Sequence, residues 1–113
     1  MRIINKTNGL VLAEDIVIAK TPFKRMLGLL MRREFHRGQA LILKPCNSIH
    51  TFFMGFPIDV LFIDKNNRIV KTLPNLKSFR LSGIYFNAIL AIELPTGTIL
   101  STSTQEGDTL LFD

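Results

Sequence analysis

The run Phe56-Pro57-Ile58-Asp59-Val60-Leu61-Phe62-Ile63 constrains this chain more than any other feature: it is apolar throughout except for one carboxylate. In an extended conformation Asp59, Leu61 and Ile63 share one face and Ile58, Val60 and Phe62 share the other. A strand that is apolar on both faces belongs inside a sheet rather than at its margin, with Asp59 at or near its entrance. A carboxylate so placed needs a guanidinium, an imidazole or several backbone N–H groups, because an unpaired buried charge is very costly. Arg25, Arg32 and His50 are the candidate partners. Two readings stay open: a structural Asp59, ion-paired or capping a turn, and a general base or ligand anchor in a pocket.

The rest of the chain repeats the pattern of short apolar runs between turn signals. Arg2–Asn5 and Leu10–Ala13 flank Asn8-Gly9, a hairpin signal, and Ile16–Ala19 continues the β-branched theme, so residues 2–19 are expected to form a hairpin or meander. One helix is expected over residues 22–33. Thr21 suits the N-cap, Pro22 the first helical position, and Phe23, Met26, Leu27 and Leu30 form a single stripe. Further strands are expected at Ala40–Leu43, Ile49–Phe53, Val60–Ile63, Arg68–Leu73, Ala88–Leu94 and Thr109–Phe112. Asp64–Arg68 reads as a turn, and Pro74–Gly83 as a basic loop carrying Phe79 and Leu81. Pro95–Thr98 and Gln105–Asp108 are turn signals, with a short helical turn between them at Ile99-Leu100. The reading is a mainly β (α+β) chain forming one domain over residues 1–113, a compact small β-barrel or sandwich-like sheet with one short helix near residues 22–33.

At 113 residues and 47% hydrophobic composition, such a domain buries enough core to fold without a disulfide or metal. The single cysteine excludes an internal disulfide and fits a reducing compartment. Leu10–Ala13 is too short for a signal-peptide core and no apolar run approaches the ~18 residues of a membrane span, so a cytoplasmic protein is expected. The net charge of +5 is uneven: residues 1–50 hold nine Lys/Arg against three Asp/Glu, and residues 51–113 five against six. Six of the basic residues lie between Lys20 and Arg37. Such a patch is either a solvated helix face or a site for anions, whether nucleic acid or lipid. Nucleic acid is not the expected partner, since only Phe23 and Phe35 interleave and no recognition motif is present.

Cys46 and His50 stand four apart, but one cysteine and two histidines do not make up a four-ligand zinc site, and neither metal nor cofactor is expected. Glu93, inside Ile89-Leu-Ala-Ile-Glu-Leu94, is a second acid in an apolar strand. With Asp59 it supplies raw material for acid–base chemistry. Phe52, Phe53 and Phe56 cluster beside His50, as core packing or as the wall of a small-ligand pocket. The leading reading is a non-enzymatic binding or accessory module for a small anionic ligand or a protein partner, with Arg25, His50, Phe53, Asp59 and Glu93 as candidate ligand-binding residues. The alternative is a small hydrolase or lyase using Asp59 or Glu93 with His50. A third reading is anionic-surface binding through the Lys20–Arg37 patch.

Three spaced blocks resemble the domain-of-unknown-function family 192. Thr21-Pro-Phe-Lys-Arg-Met-Leu-Gly-Leu-Leu-Met-Arg32 is similar to its T-P-x-E-R-x-x-G-L-M-x-R segment. His50-Thr-Phe-Phe-Met54 through Pro57-Ile-Asp59-Val-Leu-Phe-Ile-Asp64 is similar to F-W-M-x-x-x-x-P-L-D-x-x-F-I-D, in the variant opening C-x-S-I-H-T. Leu90–Pro95 with Gly97, then Gly107-Asp108, is similar to L-E-L-x-x-G and a terminal G-D. The chain departs from the pattern at Lys24, where an acid is usual, and at Phe53, where Trp is usual. Many relatives carry export signals, and none is expected here. The resemblance implies a small, mostly β fold with a short helix near the N-terminus, and no established activity.

Overall fold

The computed structural model describes residues 1–19, 35–52 and 54–113, and among them lie seven strands and one helical turn. In chain order they are β1 (Ile3–Asn5), β2 (Val11–Ala19), β3 (Gly38–Leu43), β4 (Ile58–Ile63), β5 (Ile69–Leu76), β6 (Leu90–Pro95), α1 (Thr98–Ser101) and β7 (Leu110–Phe112). They form one sheet in the order β5-β4-β6-β3-β2-β1-β7. All neighbours are antiparallel except β2 and β3. The sheet curls into a half-barrel until its two margins touch: Arg68 bridges Thr109, and Leu110 N–H donates to the Asn67 carbonyl at 2.8 Å. The helix expected at residues 22–33 lies outside the described residues.

The alternation read in β4 sorts the core. Leu61 and Ile63 join Ile3, Ala40, Ile92 and Leu110 in a cluster fed by every strand, the interior of the curl. Ile58, Val60 and Phe62 join Leu41, Leu43 and Ala91 on the outer face. All six β4 residues are buried, and each large apolar side chain among them contributes roughly 1.5–3 kcal/mol by leaving water. β5 is a margin strand, which is why it extends through the exposed Pro74, where a missing N–H costs no ladder bond. The N-terminal hairpin is present, but its loop is longer than two residues. Asn5 N–H donates to the Leu10 carbonyl, and Gly9 adopts φ +80°.

The strand expected at Ile49–Phe53 is reduced to one bridge, His50 to Leu81. Phe53 itself lies outside the described residues. The buried Thr51 bends the chain: its hydroxyl donates to the Lys77 carbonyl and accepts from Arg80 N–H at 3.0 Å. Its carbonyl accepts from both Met54 and Phe79. Residues 46–51 and 79–89 thereby clasp as an irregular ribbon over the outer cluster, tied by Ser82 N–H to the Ile49 carbonyl and Tyr85 N–H to the Asn47 carbonyl.

Candidate functional site

Three aspartates from the strand and turn signals of the sequence, together with Asn5, bond the backbone. Asp59 is fully buried; Oδ1 accepts from Asn75 N–H and Oδ2 from Ile99 N–H, each at 2.8 Å. It joins α1 to the end of β5, with Gly97 at φ +91° supplying the left-handed entry to α1 that a side chain resists. Asp64 Oδ1 accepts from Asn66 and Arg68, closing the β4–β5 turn. Asp108 Oδ2 accepts from Gln105 N–H and from the Asn5 side-chain amide, whose own oxygen accepts from Thr7 N–H.

Glu93 is the exception. It is buried on β6 between Leu41 of β3 and Val60 of β4, on the outer face with Ala91. No donor among the described residues hydrogen-bonds its carboxyl, and burial pushes its pKa from 4.5 up to about 8. At neutral pH the group is mainly the uncharged acid.

Two residues further along the same face, roughly 7 Å away by strand geometry, Pro95 reaches an open cleft of about 360 Å³. Phe35, His36, Arg37, Phe56, Pro57 and Thr96 complete its lining. The register pairing Ile58 with Pro95 brings the start of β4 and the end of β6 to this one edge. The Phe35 and Phe56 rings lie 6.3 Å apart. Arg37 and His36 were legible as part of a basic stretch and Phe56 as one of an aromatic group. Their convergence with two prolines was not, because it depends on the β4–β6 register.

His50 is exposed and stacks on Phe52 at 5.3 Å. No hydrogen bond joins it to Asp59 or Glu93 among the described residues. Cys46 donates through Sγ to the Ser48 carbonyl at 3.1 Å. Arg25, Phe53 and all of the Lys20–Arg37 patch except Phe35, His36 and Arg37 lie outside the described residues. Among the described residues no three His, Cys, Asp or Glu side chains converge on a metal-sized site, and no helix is long and apolar enough to cross a membrane.

The geometry has counterparts. A UPF0127 protein of Thermococcus gammatolerans is 34% identical over 118 residues, covering 98% of this chain and 74% of that protein. A UPF0127 protein of Pyrococcus horikoshii is 33% identical over 111 residues, covering 94% of each. A crystal structure of a protein of unknown function from Novosphingobium aromaticivorans superposes with a TM-score of 0.85 at 17% identity, over 98% of this chain and 84% of that one. Residues 3–112 match the DUF192 family, described as "Uncharacterized ACR, COG1430". Because that match spans nearly the whole chain and the relatives reach 34% identity, the chain belongs to the DUF192 (UPF0127) family.

Proposed function

We propose that the chain is a non-enzymatic binding module whose ligand is a small molecule with an apolar body and an anionic group. The observation that carries this reading is Glu93: a buried carboxyl with no described hydrogen-bond donor, two residues from a cleft with aromatic and proline walls and a cationic rim. A carboxyl held in so apolar a setting is costly to ionise, so it stays protonated and offers a ligand an O–H donor. Because the acid is mainly uncharged near pH 7, it does not repel an anion, while Arg37 at the rim attracts one. Acid–base catalysis is less well supported. Asp59 spends both oxygens on backbone N–H groups, and His50 stacks elsewhere. Arg25 and Phe53 belong to this reading on sequence grounds alone.

The test is an NMR titration at pH 7 with benzoate, phenyl phosphate and acetate. Saturable shifts are expected at the amides of Phe35, His36, Arg37, Phe56 and Thr96 with the two aromatic anions, and weaker ones with acetate. Arg37→Ala should weaken binding about three- to tenfold, a modest figure because the guanidinium is exposed. Shifts that scatter over the surface without saturating would overturn the assignment.

A further inference from the structure

The loop after β5 presents apolar side chains to solvent: Phe79 (62% exposed), Leu81 (70%), Ile84 (58%) and Phe86 (83%) within eight residues. Isolated exposed apolar residues are ordinary, but a group of this kind marks a contact surface. Phe79 contacts Phe52 at a ring separation of 6.5 Å, Phe52 stacks on His50, and His50 bridges Leu81. Phe79 and Leu81 thereby flank one aromatic group, and Ile84 and Phe86 follow on the same arm of the ribbon. Phe79 also holds φ +61°, a left-handed conformation that a bulky residue rarely adopts.

The platform beneath it is anchored. Phe79 N–H and Thr51 N–H donate to the carbonyls of Thr51 and Arg80. The Tyr85 ring packs 4.7 Å from Phe62 in the outer core. Side chains on an ordered platform lose little further backbone entropy when they are covered.

Charge selects the occupant. The ribbon together with its flanking segments, residues 44–58 and 77–89, contains Lys44, Lys77 and Arg80 and no Asp or Glu, while Phe86 shares a surface hollow with Asp64 and Lys65. Two copies meeting through this face would bring cations against cations. Nucleic acid would find aromatic faces but also the aliphatic tips of Leu81 and Ile84, which do not stack on bases. Apolar tips flanked by cations fit the headgroup–acyl boundary of a bilayer rich in anionic lipid. We infer that the chain docks peripherally on anionic membrane surfaces by inserting Phe79, Leu81, Ile84 and Phe86, with Lys77 and Arg80 at the headgroups.

The experiment is vesicle sedimentation of the full chain, with phosphatidylcholine vesicles compared with 3:1 phosphatidylcholine–phosphatidylglycerol vesicles. Binding is expected on the anionic vesicles, weakening as salt is raised. Each cation reversed, in Lys77→Glu and Arg80→Glu, should weaken it at least about fivefold. The double variant Ile84→Ser/Phe86→Ser, at exposed positions that should leave folding intact, should weaken it at least about tenfold. The chain contains no Trp, so Phe86→Trp gives a single reporter whose emission should shift blue on anionic vesicles alone. Absence of binding to the anionic vesicles, or binding unaffected by the double variant, would overturn the inference. So would self-association that the double variant abolishes while vesicles remain unbound.

Discussion

Asp59 and Glu93 occupy adjacent rungs of the β4–β6 ladder and face opposite sides of the sheet. Asp59 pairs with Leu94 and Glu93 with Val60. Asp59 lies on the side of Leu61 and Leu94, in the interior cluster, whereas Glu93 lies on the side of Val60 and Ala91. Two carboxyls that look like an acid–base pair in the sequence are thus separated by the backbone between them. They also live in opposite environments. One accepts two backbone N–H groups, and the other has no described donor at all. Their contributions to stability should differ in sign.

Replacing Asp59 with Asn keeps the shape and removes the charge. It also turns one acceptor into an NH2 group facing a backbone N–H donor. One of Asn75 and Ile99 then loses its partner in a fully buried place. The expected loss is about 2–3 kcal/mol, measured from the denaturant midpoint at constant m-value. An unchanged midpoint would show that α1 and the end of β5 do not depend on this carboxylate.

Glu93 should behave in the opposite way. Its folded pKa, about 8, lies above the 4.5 of an ordinary carboxyl. Between those values the folded chain holds a proton that the unfolded chain has released. Stability from this group is therefore complete below about pH 4.5, falls as pH rises towards 8, and levels off above it. Glu93→Gln should be more stable than the parent at pH 8 by a few kcal/mol and close to it at pH 4.5. The check is the difference between the two chains' denaturation curves across that range, which cancels the contribution of every other carboxylate. A constant difference would mean that Glu93 is ionised in the folded state.

What the sequence made legible is local. Alternation in Ile58–Ile63 sorted its residues between the two faces as found, and Asp64 closed the turn that its setting among Lys65, Asn66 and Asn67 suggested. The short helical turn near Ile99 also lay in view between two turn signals. What was not legible depends on distant partners. Asp59 is explained by N–H groups 16 and 40 residues away, and no spacing rule points to them. The Ile49–Phe53 segment has the composition of a strand, but a buried Thr51 tied to residues 77–80 takes the hydrogen bonds a ladder would need. The cleft at Pro95 joins residues from three separated segments, so only the register brings it together.

Gly97 and Gly55 provide a conformational contrast. A Cβ at either position meets open space, but Gly97 sits at φ +91° while Gly55 lies outside the left-handed region. Gly97→Ala should cost about 1–2 kcal/mol through backbone strain alone. Gly55→Ala should be neutral or stabilising by up to about 1 kcal/mol, since it restricts the unfolded chain. Equal effects in thermal unfolding would show that the α1 entry does not require the left-handed conformation.

Beyond the β1–β7 ladder, two of the side-chain contacts that join the chain ends should differ greatly in strength. Arg2 and Asp113 form a 2.6 Å ion pair, but both side chains are about half exposed, so Arg2→Ala should cost less than about 1 kcal/mol and less still in high salt. Asn5 is fully buried, and its amide donates to Asp108 at 2.9 Å and to Thr104 at 3.3 Å. Removing it in Asn5→Ala strips a buried carboxylate of its side-chain donor and should cost about 2–3 kcal/mol, independent of salt. Asn5→Asp should cost more at neutral pH, because two carboxylates then meet in a buried place, and should recover as acid protonates one of them. Denaturant titrations of the three variants at low and high salt, with Asn5→Asp repeated at acid pH, separate these effects. If Arg2→Ala proved as costly as Asn5→Ala, the surface pair would add as much to the β1–β7 ladder as the buried amide does.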